Sequence, residues 1–146
     1  MVIIKIPNQI YAIPVHVFIG EYDKYYNYIL NNYDTTIVDN GEKALGVTVP
    51  VKDKEGCSII TLWLSRFKSN DSNDLSILTH ECVHASNMIF DKIGVKIDSD
   101  NDEHVAYMTQ YLFYQTVRTY NKNKRSGKND DSNKEEKQKR NEAKGE

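Results

Sequence analysis

The apolar residues of this chain follow two different spacings, which divide it into predicted strands and predicted helices. Runs rich in β-branched and aromatic residues predict strands over residues 2–6, 10–19, 35–39, 44–51 and 57–67, the first two forming a hairpin. Apolar positions three or four residues apart predict helices over residues 21–33, 75–93 and 103–120. This order predicts an α+β fold, in which a small mixed or antiparallel sheet packs on the last two helices.

One face of the predicted helix 75–93 is apolar. Its residues are Leu75, Leu78, Cys82, Ala85, Ile89 and Ile93. At about 100° per residue, this stripe lies roughly opposite His80 and His84. We therefore expect the helix to bury the stripe against the core and to present both histidines to a cleft.

The same helix contains the sequence His80-Glu81-Cys82-Val83-His84, which has the form His-Glu-x-x-His. Positions i and i+4 lie on one face of a helix, so the two imidazoles can reach a single point. Two histidine ligands and a nearby free carboxylate suit a zinc ion that activates water. The pattern predicts Zn²⁺ bound by His80 and His84, with Glu81 as the general base.

A catalytic zinc ion takes three protein ligands and keeps one position open. Glu103 is the expected third ligand, because it begins the next predicted helix and the turn at Gly94 can fold that helix back. His104 is the alternative metal ligand. About 100° of helix rotation separates these neighbours, so only one of them can face the metal.

The length of 146 residues predicts one domain, but charge is unevenly distributed along it. Residues 1–120 contain 10 Lys and Arg against 15 Asp and Glu, whereas residues 121–146 contain 9 against 6. An acidic body favours a cation over nucleic acid as its partner. We predict a domain over residues 1–120 and a flexible charged tail over 121–146, with nucleic-acid or partner contact open for the tail.

The chain begins without a signal-peptide pattern, and no apolar run approaches the roughly 18–20 residues of a membrane span. Its two cysteines, Cys57 and Cys82, are too few for a disulfide framework. These features predict a cytoplasmic protein that makes no membrane contact.

The motif His80-Glu81-x-x-His84 followed by Glu103-x-x-Ala106 resembles the gluzincin-type zinc metallopeptidases, whose site is thermolysin-like. In detail it is similar to compact peptidase-like proteins encoded by bacteria and phages, over residues 57–115. The resemblance implies a minimal zincin-like fold, zinc bound by both histidines and Glu103, and Glu81 as the base. It also implies that the strand near Ile59–Leu64 borders the cleft and pairs with an extended peptide.

Two residues depart from that family pattern. Ser86 stands where a hydrophobic residue is usual, and Tyr107 stands where some members have an acidic residue. By position, Tyr107, Tyr111 and Tyr114 are candidates for stabilising an oxyanion. The expected function is hydrolysis of a peptide or protein substrate in a bacterial or phage-infected host cell. The alternative is a non-catalytic, zinc-stabilised binding or virion assembly module.

Overall fold

Four strands and three helices make up the part of the chain that the computed structural model describes. That part is residues 1–8, 11–35 and 44–142, with side chains up to Ser126. The elements are β1 (Val2–Ile6), β2 (Val15–Ile19), α1 (Tyr22–Asn32), β3 (Gly46–Lys52), β4 (Ser58–Leu64), α2 (Ser72–Lys92) and α3 (Glu103–Glu142). The predicted α+β class is confirmed. The strand predicted at 35–39 falls almost wholly outside the described residues.

The four strands form one mixed sheet in the order β1-β2-β4-β3. β1 and β2 pair antiparallel, as the predicted hairpin requires, β2 and β4 pair parallel, and β4 and β3 pair antiparallel. The interior position of β4 contradicts the predicted pairing of a peptide with Ile59–Leu64, because both sides of this strand are already hydrogen-bonded. The edge strand beside β4 is β3.

Side chains of the sheet alternate between two apolar layers. Val17 and Leu62 lie in the larger core with α2 and α3, whereas Phe18 and Trp63 pack with α1 on the other face. Because helices cover both faces, β2 is buried along its whole length. On β3, Thr48 pairs with Leu62 and therefore faces α2.

α2 begins one residue after Asp71, whose side chain accepts hydrogen bonds from the backbone amides of Asn73 and Asp74. The buried carboxylate of Asp74 also accepts hydrogen bonds from Arg66 Nε and the amide of Lys68, which fixes the loop after β4. The helix gives way to Gly94 at φ 76°, a conformation that favours glycine.

The predicted orientation of α2 is confirmed. Leu78, Cys82, Ala85 and Ile89 of the apolar stripe are completely buried. His80 and His84 are exposed on the opposite side of the helix. The core therefore fixes which face of α2 the histidines occupy.

α3 runs antiparallel to α2. Ser86 Oγ lies 3.0 Å from Thr109 Oγ1, and further along α2 the ring of Phe90 lies 6.3 Å from that of His104. The helical backbone continues to Glu142 and so covers most of the segment predicted to be a tail, whose flexibility stays a prediction. None of the helices in the described residues is both long enough and apolar enough to cross a membrane.

Candidate metal and catalytic site

His80 and His84, the histidine pair, converge on the exposed face of α2. Their Nε2 atoms lie 3.0 Å apart, and the two rings meet edge to face with centroids 4.6 Å apart. Two zinc–nitrogen bonds of about 2.0–2.1 Å at a tetrahedral angle would place such atoms about 3.3 Å apart. The histidine pair therefore fits two neighbouring positions of a tetrahedral zinc ion.

Glu81 is buried between α2 and β3, with 6% of its surface exposed. It leaves the helix about 60–100° away from the histidine pair. Thr48 Oγ1 donates a hydrogen bond of 2.6 Å to Glu81 Oε2 and lies 3.3 Å from the carbonyl oxygen of the same residue. A carboxylate in such a place needs compensating polar contacts, and Thr48 supplies one.

Gly46 lies two residues before Thr48 on the same face of β3. A Cβ atom at this position would come within 2.8 Å of both Cγ and Oε1 of Glu81. β3 can therefore approach α2 this closely only because residue 46 has no side chain. Sequence reasoning missed both residues, although a glycine inside a strand pattern is a signal of close approach by another group.

In the part of the chain that the structure describes, no strand pairs with the outer edge of β3 beside Glu81. Lys52 directs both its amide and its carbonyl outward, to Asp34. Because backbone groups alternate along a strand, Gly46 and Thr48 also direct theirs outward, and Pro50 has no amide hydrogen to offer. Among the described residues, the free donors and acceptors of this edge therefore lie at the two residues that contact Glu81.

Glu103 and His104 lie towards the other end of the α2–α3 pair. Ser86 of α2 contacts Thr109 of α3, so these two residues lie at the same height along the helix axes. At 1.5 Å per residue, Glu103 is then about 15 Å along those axes from the middle of the histidine pair. The described residues contain no group of three or more His, Cys, Asp or Glu side chains that could hold a metal. The structure brings His80 and His84 together, whereas the carboxylate of Glu81 is turned towards Thr48 of β3, and the third ligand stays a prediction.

The three candidate tyrosines point away from α2. Thr109 faces α2, and Tyr107, Tyr111 and Tyr114 leave α3 about 140–160° away from it. All are exposed, and the hydroxyl of Tyr111 donates a hydrogen bond of 3.0 Å to the carbonyl of Pro7, just beyond β1. The structure does not bring these hydroxyls to the histidine pair.

Two further residues of α2 have structural surroundings. Burial raises the pKa of the Cys82 thiol to about 12, and the charge of Glu81 adds to this effect, so the thiol stays protonated. The hydroxyl of Ser86 is buried, donates to the carbonyl of Cys82 and meets Thr109. The polar residue that departs from the family pattern thus joins α2 to α3.

An apolar groove of about 550 Å³ runs between α2 and α3. Its walls include Thr79, Val83 and Asn87 from α2, and Ala106, Gln110 and Phe113 from α3. Thr79 and Val83 precede His80 and His84 directly in sequence. The groove therefore flanks the histidine pair on the side away from β3.

In comparisons with protein-family models, curated proteins and solved structures, nothing matches this chain. The likeness to gluzincins therefore depends on the motif residues alone. The geometry of His80, Glu81 and His84 is the observation from which a function can be argued.

Proposed function

We propose that this chain is a zinc-dependent hydrolase that cleaves peptide bonds. One observation supports the proposal most directly. Two exposed histidines place their Nε2 atoms 3.0 Å apart, and the residue directly after the first of them is a buried glutamate. Two neutral ligands with a neighbouring base suit the activation of water for attack on a carbonyl.

The proposed chemistry divides between the ion and the chain. Zinc held by the histidine pair would lower the pKa of water and polarise the carbonyl of the substrate. Glu81 accepts the proton of the attacking water and passes it to the leaving amine. The peptide lies extended along β3, where Gly46 and Thr48 offer their outward backbone groups, and the apolar groove accepts one of its side chains.

Metal analysis of the purified protein tests the zinc site. We expect about one zinc ion per chain in the wild type, as a single site predicts. Glu103→Ala and His104→Ala then distinguish the two proposed third ligands, because only the true ligand is needed for the full zinc content. A wild-type chain without zinc would end the proposal. If His104→Ala loses zinc and Glu103→Ala keeps it, His104 replaces Glu103 as the proposed third ligand.

The role of Glu81 is tested by Glu81→Gln, which keeps the shape of the side chain but removes the base. We expect peptide hydrolysis to fall by about 10²–10⁴-fold while the zinc content is unchanged. Cleavage is measured on a peptide library with wild type and variant side by side. Undiminished hydrolysis by the variant would refute the assignment.

A second candidate is a zinc-stabilised binding or virion assembly module without catalysis. It is favoured by the burial of Glu81, which is 6% exposed and whose carboxylate already accepts a hydrogen bond from Thr48. In that case zinc raises the unfolding temperature, because binding to the folded state stabilises it, but no peptide is cleaved. We also propose, as part of these two candidate functions, that the protein is cytoplasmic or associates with a virion.

A further inference from the structure

The two carboxylate oxygens of Glu81 have different surroundings, and this difference affects which of them is available to accept a proton. Oε2 accepts the 2.6 Å hydrogen bond from Thr48, whose hydroxyl also lies 3.3 Å from the Glu81 carbonyl oxygen. Thr48 is itself 9% exposed, so its hydroxyl is held in a buried position. The short hydrogen bond from this hydroxyl to Oε2 restricts the rotation of the glutamate side chain.

The other oxygen, Oε1, faces Gly46. The nearest neighbours of an added Cβ at this position are all atoms of Glu81, at 2.8–3.0 Å. The backbone of Gly46 is an ordinary strand with no left-handed φ, so an alanine would cause no backbone strain. The missing side chain at residue 46 therefore leaves room for the Glu81 carboxylate and is not required by the backbone conformation of β3.

We propose that Thr48 and Gly46 are positioning residues for Glu81. Thr48 fixes Oε2, and the missing side chain at Gly46 leaves Oε1 free to accept the proton from the attacking water. The inference depends on the proposed hydrolase function. It adds that the edge strand on which the peptide lies also sets the position of the base.

The first experiment measures the contact in the metal-free protein, independently of activity. Thr48→Val removes the hydroxyl but keeps the shape of the side chain. We expect it to lower the unfolding temperature by several degrees in the wild-type background, and by much less beside Glu81→Ala. Equal shifts in the two backgrounds would show that Thr48 does not act through Glu81, and would overturn the proposal.

The second experiment separates kcat from KM in the zinc-loaded enzyme. Thr48→Val should lower kcat on the order of 10- to 100-fold, with KM and zinc content near wild type, because a displaced base slows only the chemical step. Thr48→Ser restores the hydroxyl and should stay within about threefold of wild type. Gly46→Ala should also lower kcat, because its Cβ displaces Oε1.

Thr61→Val is the matched control. Thr61 is also a buried threonine of the sheet, but it faces α1, where its hydroxyl bonds Tyr25 and donates to the carbonyl oxygen of Val49. Its loss should lower stability through these contacts but leave kcat of the folded protein unchanged, because neither contact involves Glu81. If Glu81 is needed for hydrolysis and Thr48→Val keeps the wild-type kcat, the positioning roles fail and the hydrolase stands. If the wild type cleaves no peptide, both proposals fail.

Discussion

At two places among the described residues a histidine lies close to another polar ring. The two places differ in how far the histidine is exposed and in the partner of its ring. His16 of β2 is 9% exposed, and its Nδ1 lies 2.7 Å from the hydroxyl of Tyr33. His80 and His84 are exposed on a helix, and their Nε2 atoms lie 3.0 Å apart. A buried histidine with a hydroxyl partner is held in place, whereas two converging and solvent-accessible imidazoles can exchange their contact for a cation.

The electrostatic surroundings reinforce this difference. Burial, and to a smaller extent the charge of Lys5, its cross-strand neighbour, together lower the pKa of His16 to about 4. His16 is therefore neutral over the physiological pH range, and through its contact with Tyr33 it helps to hold α1 in place. Exposure and the nature of the partner, more than the residue type, separate a structural histidine from a candidate ligand.

The largest effect is expected from removing either member of the histidine pair. His80→Ala or His84→Ala should lower zinc affinity by on the order of 100-fold or more, since even residues that only support a ligand contribute 10–100-fold. His16→Gln, the control at the other place, should keep the wild-type affinity. Zinc titration by calorimetry measures all three. Tight zinc binding by His84→Ala would show that the histidine pair does not form the zinc site.

A smaller effect concerns acid stability and belongs to His16 alone. Above pH 6.5 its ring is neutral in both folded and unfolded chains, so its contribution is constant. As the pH falls from 6.5 to about 4, the unfolded chain binds a proton that the folded chain resists, and stability falls by up to about 3 kcal/mol.

Urea unfolding at several pH values checks this prediction against His16→Gln. Carboxylates titrate at the lower end of the same range in both proteins, so the difference between the two curves is the quantity to follow. We expect the wild type to lose more stability than the variant between pH 6.5 and 4. Parallel curves would show that His16 does not resist protonation.

The smallest effect is expected at Tyr33. Tyr33→Phe removes the hydroxyl beside His16 and should cost about 1 kcal/mol of unfolding free energy, with zinc affinity unchanged. Tyr114→Phe, at an exposed hydroxyl on α3, is the control and should stay within about 0.5 kcal/mol of wild type. A cost at Tyr114 equal to that at Tyr33 would show that the His16 contact contributes nothing.

Local patterns were sufficient to predict where the three helices lie, apart from the continuation of α3 beyond residue 120, and which face of α2 carries the histidine pair. The apolar stripe through Leu78, Cys82 and Ala85 fixed that face, because helical periodicity alone decides which residues are opposite. The α+β class followed from the same patterns. Such information is contained within about twenty neighbouring residues.

Contacts between distant segments were not predictable in this way. Nothing near Glu81 in sequence indicates Thr48, which is 33 residues away and reaches it only because β3 lies at the sheet edge. The level of Glu103, in contrast, follows from the predicted helix lengths, because the helix predicted to residue 93 already continues about two and a half turns past His84. The helix runs to Lys92, so an antiparallel partner starting at 103 begins opposite its last turn.

The edge of β3 has a further consequence, for the association of one chain with another. An open strand edge invites pairing with a second copy, and proteins limit this with proline and lysine. Pro50 interrupts the donors of this edge, and Lys52 is already bonded to Asp34. Within the described ranges, the stretch of this edge left for pairing is confined to Gly46 and Thr48, which is long enough to hold part of a peptide but too short to seed a growing sheet.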